Sequence, residues 1–323
     1  MTISQANPPW LGPEDGRDSI MTVGPERREE ALSRLLAADG GTNPEHARRF
    51  LRYARDHSVP LDCLWGSVDA RGRFQGVVLA VPGAGRSAMV FASHGRTEAQ
   101  RTCTARLLKY AGELLPGAGV CLAQGLLDPD DLEAHETFHR GGFRPLATLT
   151  YLERPLRTRL LPPEPDWPEG VSLESCERTG DAELIATLDA TYEQTMDCPA
   201  LRGLRQTSDI LEGHRAAGAF DPRLWTLLRV DGQSSGVLLL NASSDRASIE
   251  LVYLGLARGV RGRGLGLRLL QHGLRLIASR PERSMTLAVD QTNAPALRLY
   301  EREHFRAVLQ RSALVLPMRA ARG

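Results

Sequence analysis

Between Ile249 and Phe305 the chain sets a β-like run, a glycine-rich turn and a helix-like segment in immediate succession, and few folds accommodate that order. The run is Ile249-Glu250-Leu251-Val252-Tyr253-Leu254-Gly255-Leu256 and the turn is Arg261-Gly262-Arg263-Gly264-Leu265-Gly266. A helical pattern then extends from Leu267 to Ala278. A glycine inside a helical turn costs about 1 kcal/mol relative to alanine. Three alternating glycines at a helix start therefore point to something that must come close to the backbone. Exposed N–H groups in such a turn, together with the partial positive charge of a helix N-terminus, make a cradle for an anion such as a diphosphate.

A second strand-like run, Met285 to Val289, leads into Asn293-Ala294-Pro295-Ala296-Leu297-Arg298-Leu299-Tyr300-Glu301, with Phe305 beyond. Turn, strand, Asn293, Ala296, Tyr300 and Phe305 in this register resemble the acetyl-CoA-binding core of the GCN5-related N-acetyltransferase (GNAT) superfamily. Its turn pattern is Gln/Arg-x-x-Gly-x-Gly/Ala. The resemblance implies an α/β fold built on a mixed sheet (α+β in its segregation of strands), with acetyl-CoA (coenzyme A) as the acyl donor.

Length and composition narrow the setting. A chain of 323 residues favours two domains over one. Lys and Arg number 40 against 39 Asp and Glu, so no global field draws the chain to nucleic acid or an anionic membrane. Five scattered cysteines without a C-x-x-C suit a reducing cytoplasm rather than a disulfide framework or a thiolate metal site. Residues 1–19 lack the basic-then-apolar run of a signal peptide, and no apolar run is long enough to span a bilayer.

The patterns predict a mobile tail over residues 1–22 and two helices, from Pro25 to Asp39 and from Ala47 to His57. A hairpin over Cys63–Val68 and Phe74–Val81, a strand over Ser87–Ala92 and a helix over Glu98–Leu115 follow. A strand over Gly119–Gln124, a helix over Asp130–Arg140 and a strand over Phe143–Glu153 complete the first half. Four prolines between Leu160 and Gly170 then predict a stiff linker, 159–170, between domains 23–158 and 171–323. Beyond it the layout recurs. An offset of 162 residues carries Phe143 onto Phe305 and Ala134 onto Ala296, which suggests a tandem duplication of the GNAT-like unit. At that offset Phe138 stands opposite Tyr300, and Thr102 and Thr104 stand opposite Gly264 and Gly266. The first half thus reads as a degenerate GNAT-like domain and the second as the catalytic one. The tandem layout resembles the mycothiol-synthase type, a likeness of architecture that carries little weight for substrate.

The resemblance implies direct acyl transfer to a primary amine, carried by a small molecule or a peptide, in a ternary complex. It assigns cofactor contacts to the backbone of Leu254, Gly255 and Leu256 and to Arg261, Gly262, Arg263, Gly264, Leu265 and Gly266. Arg261 or Arg263 could pair with phosphate oxygens, or be a solvated surface pair. Tyr300 is the candidate general acid, since a phenol with a pKa of about 10 is protonated at neutral pH; otherwise it is a core aromatic, as Phe138 is. Asn293 would cap the helix carrying Tyr300 and could also touch the cofactor. Glu250, four residues before Leu254 and expected on the same face, is the candidate base, or else an exposed strand carboxylate beside Arg246. The stretch Tyr192 to Pro199 is expected to build the acceptor pocket, with Cys198 structural.

Two other readings stay open. A non-catalytic acetyl-CoA-binding or scaffold protein would keep the turn without using Tyr300 and Glu250. His135-Glu136-Thr137-Phe138-His139 also matches the H-E-x-x-H helix of zinc metalloproteases, although Gly141-Gly142 ends that helix and no third ligand follows.

Overall fold

The computed structural model describes residues 19–156, 161–244 and 247–318. The chain divides into two units, Met1–Pro145 with Ala313–Gly323, and Leu146–Ser312. Each has the α/β character expected, a mixed sheet with helices on both faces.

The first unit opens with β1 (Ser19–Thr22), which pairs antiparallel with β2 (Leu64–Val68). This strand lies inside the stretch expected to be a tail. It is held because Val23 is buried and its N–H donates to the Leu64 carbonyl at 2.9 Å. Helices α1 (Arg28–Leu35) and α2 (Pro44–Asp56) follow, the second capped by the Asn43 side chain accepting from the His46 N–H. Then come β3 (Phe74–Gly83), β4 (Ser87–Ala92), α3 (Glu98–Leu114), β5 (Leu122–Leu127) and α4 (Leu132–Arg140). The strands run in the order β1-β2-β3-β4-β5. Only β4 and β5 are parallel, and they pair over just three residues, Ser87 to Met89 against Leu122 to Gln124. Alternation along β3 sends Val78 and Ala80 toward α3 on one face, and Val77 and Leu79 toward α1 and α2 on the other.

The second unit holds β6 (Arg144–Pro155, of which 146–155 belong here), β7 (Val171–Ser175), α5 (Asp181–Tyr192), α6 (Thr207–Ala216), β8 (Trp225–Val230) and β9 (Gln233–Ala242). It continues through β10 (Ser248–Leu256), α7 (Leu265–Leu276), β11 (Ser284–Asp290) and α8 (Ala294–Arg302). Strand order is β6-β11-β10-β9-β8-β7, with β10 and β11 the parallel pair. Leu238 and Leu240 of β9 pack toward α7 and α8, while Val237 and Leu239 pack toward α5 and α6.

The last strand, β12 (Arg306–Pro317), contributes 306–312 to the second unit and 313–317 to the first. It was expected to close the second domain. Instead Leu314 joins the first unit's core beside Phe138 and Phe143, and the Met318 N–H donates to the Cys121 carbonyl at 2.9 Å. Reciprocally β6, expected in the first domain, pairs with β11 from Leu149 to Pro155, and its Leu152 enters the second core. The units change over at Pro145/Leu146 and Ser312/Ala313, not in the proline-rich stretch. Residues 157–160 of that stretch lie outside the described residues. The rest is strapped along α7: Trp167 packs on the core, Arg268 Nε donates to the Asp166 carbonyl at 2.7 Å and Arg275 Nη1 to that of Pro162 at 3.1 Å. Among the described residues no helix is long and apolar enough to cross a membrane.

Leu314 is 1% exposed. Leu314→Ala is therefore expected to destabilise the protein by about 2–5 kcal/mol, the range for a buried Leu→Ala cavity. Denaturant unfolding checks it, and a loss below about 1 kcal/mol would show that 313–317 are not part of that core.

Candidate active site

The site grows from how β10 and β11 part. Their parallel pairing covers only Ser248–Glu250 against Ser284–Thr286. Beyond it β10 runs on to Leu256 bonded only to β9, and β11 runs on to Asp290 bonded only to β6. The facing edges from Leu251 and Leu287 onward have no strand partner among the described residues. A cleft edged with backbone donors and acceptors opens there.

A β-bulge at Val252 steers β10 away: Leu251 pairs with Leu240, and Tyr253 with Leu239. The extra residue also shifts the side-chain alternation. Ile249 and Leu251 face the α7 core before the bulge, and Leu254 and Leu256 face it afterwards. Strict alternation puts Glu250 on the same face as Leu254, from which the bulge removes it. It stands opposite Asn241, on the face of Tyr253 and Gly255. Gly255 is needed there for space, since a Cβ would lie 2.6 Å from the Tyr253 ring.

Past β10, Gly262 and Gly264 take φ of +77° and +73°, a region L side chains rarely adopt. Conformation thus accounts for both glycines, and nothing lies within 4 Å of where a Gly262 Cβ would sit. Gly264 is the N-cap of α7; it offers no side chain to cap the helix, and the first turn holds no acidic residue. The leading N–H groups, from Leu265 onward, are left for an anion. Arg263 and Arg258 stand exposed beside the turn.

Arg261 does not present its side chain to that cradle, contrary to its expected role as a phosphate partner. Its guanidinium is spent on three backbone carbonyls: Nε on Leu256 (2.9 Å), Nη1 on Gln194 (3.0 Å) and Nη2 on Thr191 (2.8 Å). It ties the turn to the end of β10 and to the end of α5. Only its main chain remains to face a ligand.

Tyr300 and Asn293 come together on α8. Asn293 Oδ1 accepts from the Ala296 N–H at 3.3 Å, the cap expected of it. Tyr300 is buried, with its ring edge-on to Phe305 at 5.6 Å. Burial raises the phenol's pKa above the ordinary 10, and the Asp197 carboxylate and Tyr253 raise it further, so the hydroxyl stays protonated.

Glu250 lies elsewhere, in a cavity of about 420 Å³ lined by Tyr151, Glu153, Thr286 and Ala288, with Val308 and Leu309 at its rim. Desolvation raises its pKa from 4.5. Its carboxylate in turn adds to the burial that raises Tyr151. Arg246, considered as its partner, lies outside the described residues.

The stretch from Tyr192 to Pro199 does not line this cavity. Tyr192 packs edge-on against Tyr253, and His214 stacks on Tyr253 at 5.7 Å. The loop reaches the cleft instead. Asp197 Oδ1 accepts from the Asp290 N–H at 3.0 Å, and the Cys198 N–H donates to Asp290 Oδ2 at 3.2 Å. Asp197 is thus held at the free end of β11, within electrostatic reach of Tyr300, and burial raises its pKa. Sequence reasoning passed it over, because nothing local marks a loop aspartate that closes a strand edge over ninety residues away. Burial, with Asp197 and Asp290 nearby, pushes the Cys198 thiol to about 12, which removes the thiolate a nucleophile needs.

The first unit supplies a contrast. Asp131 caps α4 as Asn293 caps α8, and the Phe143 N–H bonds the Phe138 carbonyl as that of Phe305 bonds Tyr300's, each at 3.0 Å. Its parallel pair also parts after three residues. Here, though, the helix after the turn is capped by Thr97 and begins with Glu98, which bridges Arg101 and Arg140. Arg101 also bridges Glu133, and beside Phe138 a cavity of only about 40 Å³ remains. His135, of the zinc-like motif, places Nε2 3.1 Å from the Asp128 carbonyl. Among the described residues no three His, Cys, Asp or Glu side chains converge to hold a metal.

The sequence model of the acetyltransferase (GNAT) family matches residues 188–305. A mycothiol acetyltransferase of Tsukamurella paurometabola is 30% identical over 250 residues, covering 74% of this chain and 80% of the relative. One of Clavibacter michiganensis is 40% identical over 103 residues, 32% of this chain and 33% of the relative. The chain spans between 33% and 56% of the length of that relative and four other mycothiol acetyltransferases. Among solved structures, a GCN5-related N-acetyltransferase from Sphaerobacter thermophilus superposes with TM-score 0.61 at 21% identity, over 93% of this chain and 95% of that one. A tandem GNAT protein from the clavulanic acid biosynthesis pathway does so with TM-score 0.52 at 16% identity, over 94% and 99%. These two likenesses are of fold.

Arg261→Ala should free the turn from α5 while leaving every proposed backbone donor in place. Coenzyme A binding, followed by calorimetry, is expected to weaken at least roughly tenfold, about 1.4 kcal/mol; unchanged affinity would mean that the tie does not shape the cradle.

Proposed function

We propose, because this chain belongs to the GNAT acetyltransferase family, that its second unit transfers an acetyl group from acetyl-CoA to the amine of a small-molecule acceptor. The observation that carries this reading is the cleft between β10 and β11, with an uncapped helix N-terminus just past its mouth. The residues present fit the cofactor. Strand alternation turns the main-chain groups of Leu254 and the N–H of Leu256 away from β9, and these suit an amide-bearing arm. Gly255 bonds toward β9, and the Leu256 carbonyl is held by Arg261. The N–H groups from Arg261 to Gly266 suit a diphosphate, and exposed Arg263 adds positive charge at the same turn. Asn293, after capping α8, keeps a side-chain N–H₂ that can turn to the cleft.

Bound there, acetyl-CoA supplies an activated acyl thioester. The chain's part is to orient it, to move a proton off the amine and to hold one for the departing sulfur. Backbone N–H groups at the end of β10 polarise the carbonyl. Tyr300, kept protonated by burial, donates toward the leaving thiolate. Glu250, on the open face of the same strands, takes the proton from the amine directly or through water. Its raised pKa makes it a stronger base than an ordinary glutamate.

The acceptor is read from two features. The cavity at Glu250 has the volume of a small-ligand site and an apolar rim at Val308 and Leu309. The relatives are mycothiol acetyltransferases, which favours a small amine of mycothiol chemistry over a peptide N-terminus. A cytoplasmic setting suits such a reaction. The first unit, its cradle closed by Phe138, Arg101 and Glu133, is read as a degenerate GNAT-like unit.

Tyr300→Phe separates an enzyme from a cofactor-binding scaffold. Thiol release from acetyl-CoA with a panel of amines is expected to fall by about 10²–10⁴-fold while coenzyme A affinity changes little. Wild-type protein without acceptor-dependent thiol release would sink the proposal. A base works only when deprotonated, so kcat/KM should fall as pH drops through the Glu250 pKa. That limb should lie above the ordinary glutamate range and disappear in Glu250→Gln; a limb unchanged in the variant reassigns the base, Asp197 being the next carboxylate to test.

A further inference from the structure

The first unit has an opening that acyl transfer leaves unused. It lies where the end of α1, the turn 39–42, the first residues of β3 and the first turn of α3 meet, and it measures about 540 Å³. This is not the counterpart of the acetyl-CoA cleft. That position, walled by β5 and α4, is the one filled by Phe138, Arg101 and Glu133.

Arg34 forms the inner wall. It is 4% exposed, on the last turn of α1. Its Nη2 reaches two neutral acceptors at long range, the Gln75 carbonyl at 3.3 Å and Gln100 Oε1 at 3.5 Å. Nη1 is buried without a hydrogen-bond partner among the described residues. A buried guanidinium without a counter-ion is unfavourable, and proteins place such charges where a partner or a ligand completes them.

The other charged groups do not complete it. Arg73 and Arg96 line the same opening, and each already holds a carboxylate: Arg73 with Asp69 at 2.9 Å, Arg96 with Asp39 at 2.5 Å. The Asp39 oxygens are shared further with the Gly41 N–H. Burial and the nearby Arg96 lower the Arg34 pKa, and Asp39 offsets them only in part. The turn is shaped to keep Arg96 there, since a Cβ on Gly41 would sit 2.7 Å from its Nη2. Three guanidinium groups thus line one opening. Arg73 and Arg96 each hold a carboxylate, while the innermost holds only neutral acceptors on Nη2 and none on Nη1 among the described residues, which leaves positive charge unbalanced there.

We propose that this opening binds the oxyanion of a small molecule, a phosphate or a carboxylate group, with Arg34 as the buried anchor and Arg96 as the outer arm. The chemistry the two groups share is negative charge spread over two or more oxygens, a pair of which can accept both N–H donors of a guanidinium edge. The proposal rests on the first unit alone and stands whether or not the second unit acetylates an amine.

Titration calorimetry of the full chain with inorganic phosphate and, separately, with citrate, at ionic strength balanced by chloride, tests it. Phosphate could also settle at the N-terminus of α7, so the reading is the component that Arg34 controls. Arg34→Met, which keeps length and removes charge, is expected to weaken that component at least tenfold. Arg96→Ala, an exposed change that leaves the fold intact, should weaken it several-fold and serves if the first variant does not fold. The rise in melting temperature that the anion produces in wild type should shrink in parallel. Heat with phosphate alone identifies a phosphate ligand, and heat with citrate alone a carboxylate; either supports the site. No heat with either anion, or binding equal in wild type and both variants, overturns it.

Discussion

The second unit depends on a pairing that stops early. Three residues of parallel ladder join β10 to β11, and then each strand keeps only its outer neighbour. Unpaired backbone inside a sheet is costly unless something else satisfies it. One end is already met: Asp197 closes the last N–H of β11. The edge of β10 beyond the bulge has no strand partner among the described residues, and of it Arg261 takes the Leu256 carbonyl. The remainder is what the proposed cofactor would use. The bulge at Val252 is what makes this geometry durable, because it turns β10 without breaking its bonds to β9 on the far side.

The two halves show that topology alone does not make the site. Both carry a three-residue parallel pair, a helix capped by an Asx side chain and an aromatic pair on that helix and the following strand. What separates them is the start of the helix after the parting strand. A glycine N-cap leaves the amides of α7 open, whereas Thr97 and Glu98 fill the corresponding positions of α3 from within the chain. Thr102 and Thr104, which the 162-residue offset sets opposite the glycines, lie inside that helix instead. Once that end is satisfied internally, the slot behind it can collapse onto Phe138 and a salt-bridge network. The differences then reinforce one another.

Much of this was legible in the residues. The strand, turn, helix and strand around Gly264 are local patterns, and the 162-residue offset set Phe138 opposite Tyr300; the structure adds that Asp131 and Asn293, at the same offset, cap the two helices alike. What escaped was non-local. Period-two reasoning put Glu250 beside Leu254 because nothing in the run announces that Val252 is an extra residue. The exchange of β6 and of 313–317 between the units leaves each strand's own pattern unchanged, so no sequence window reveals it. Arg261 looked like a phosphate ligand because a guanidinium suits phosphate. Its partners proved to be carbonyls some seventy residues away.

That reassignment of Arg261 bears on how such a cradle is stable at all. A turn with two residues at positive φ and a helix start without a cap is poorly held by local forces. The same features that leave its amides available also leave it free to move. Arg261 anchors it from below through three carbonyls, and Arg268 fixes the first turn of α7 to Asp166. Two arginines beside the proposed anion site thus hold the backbone donors in place through main-chain carbonyls, Arg261 with all three of its guanidinium nitrogens and Arg268 with Nε. A cradle built this way is ordered before its ligand arrives, so binding need not include the cost of ordering the loop. The positive charge that does face outward, on Arg258 and Arg263, can then serve attraction alone.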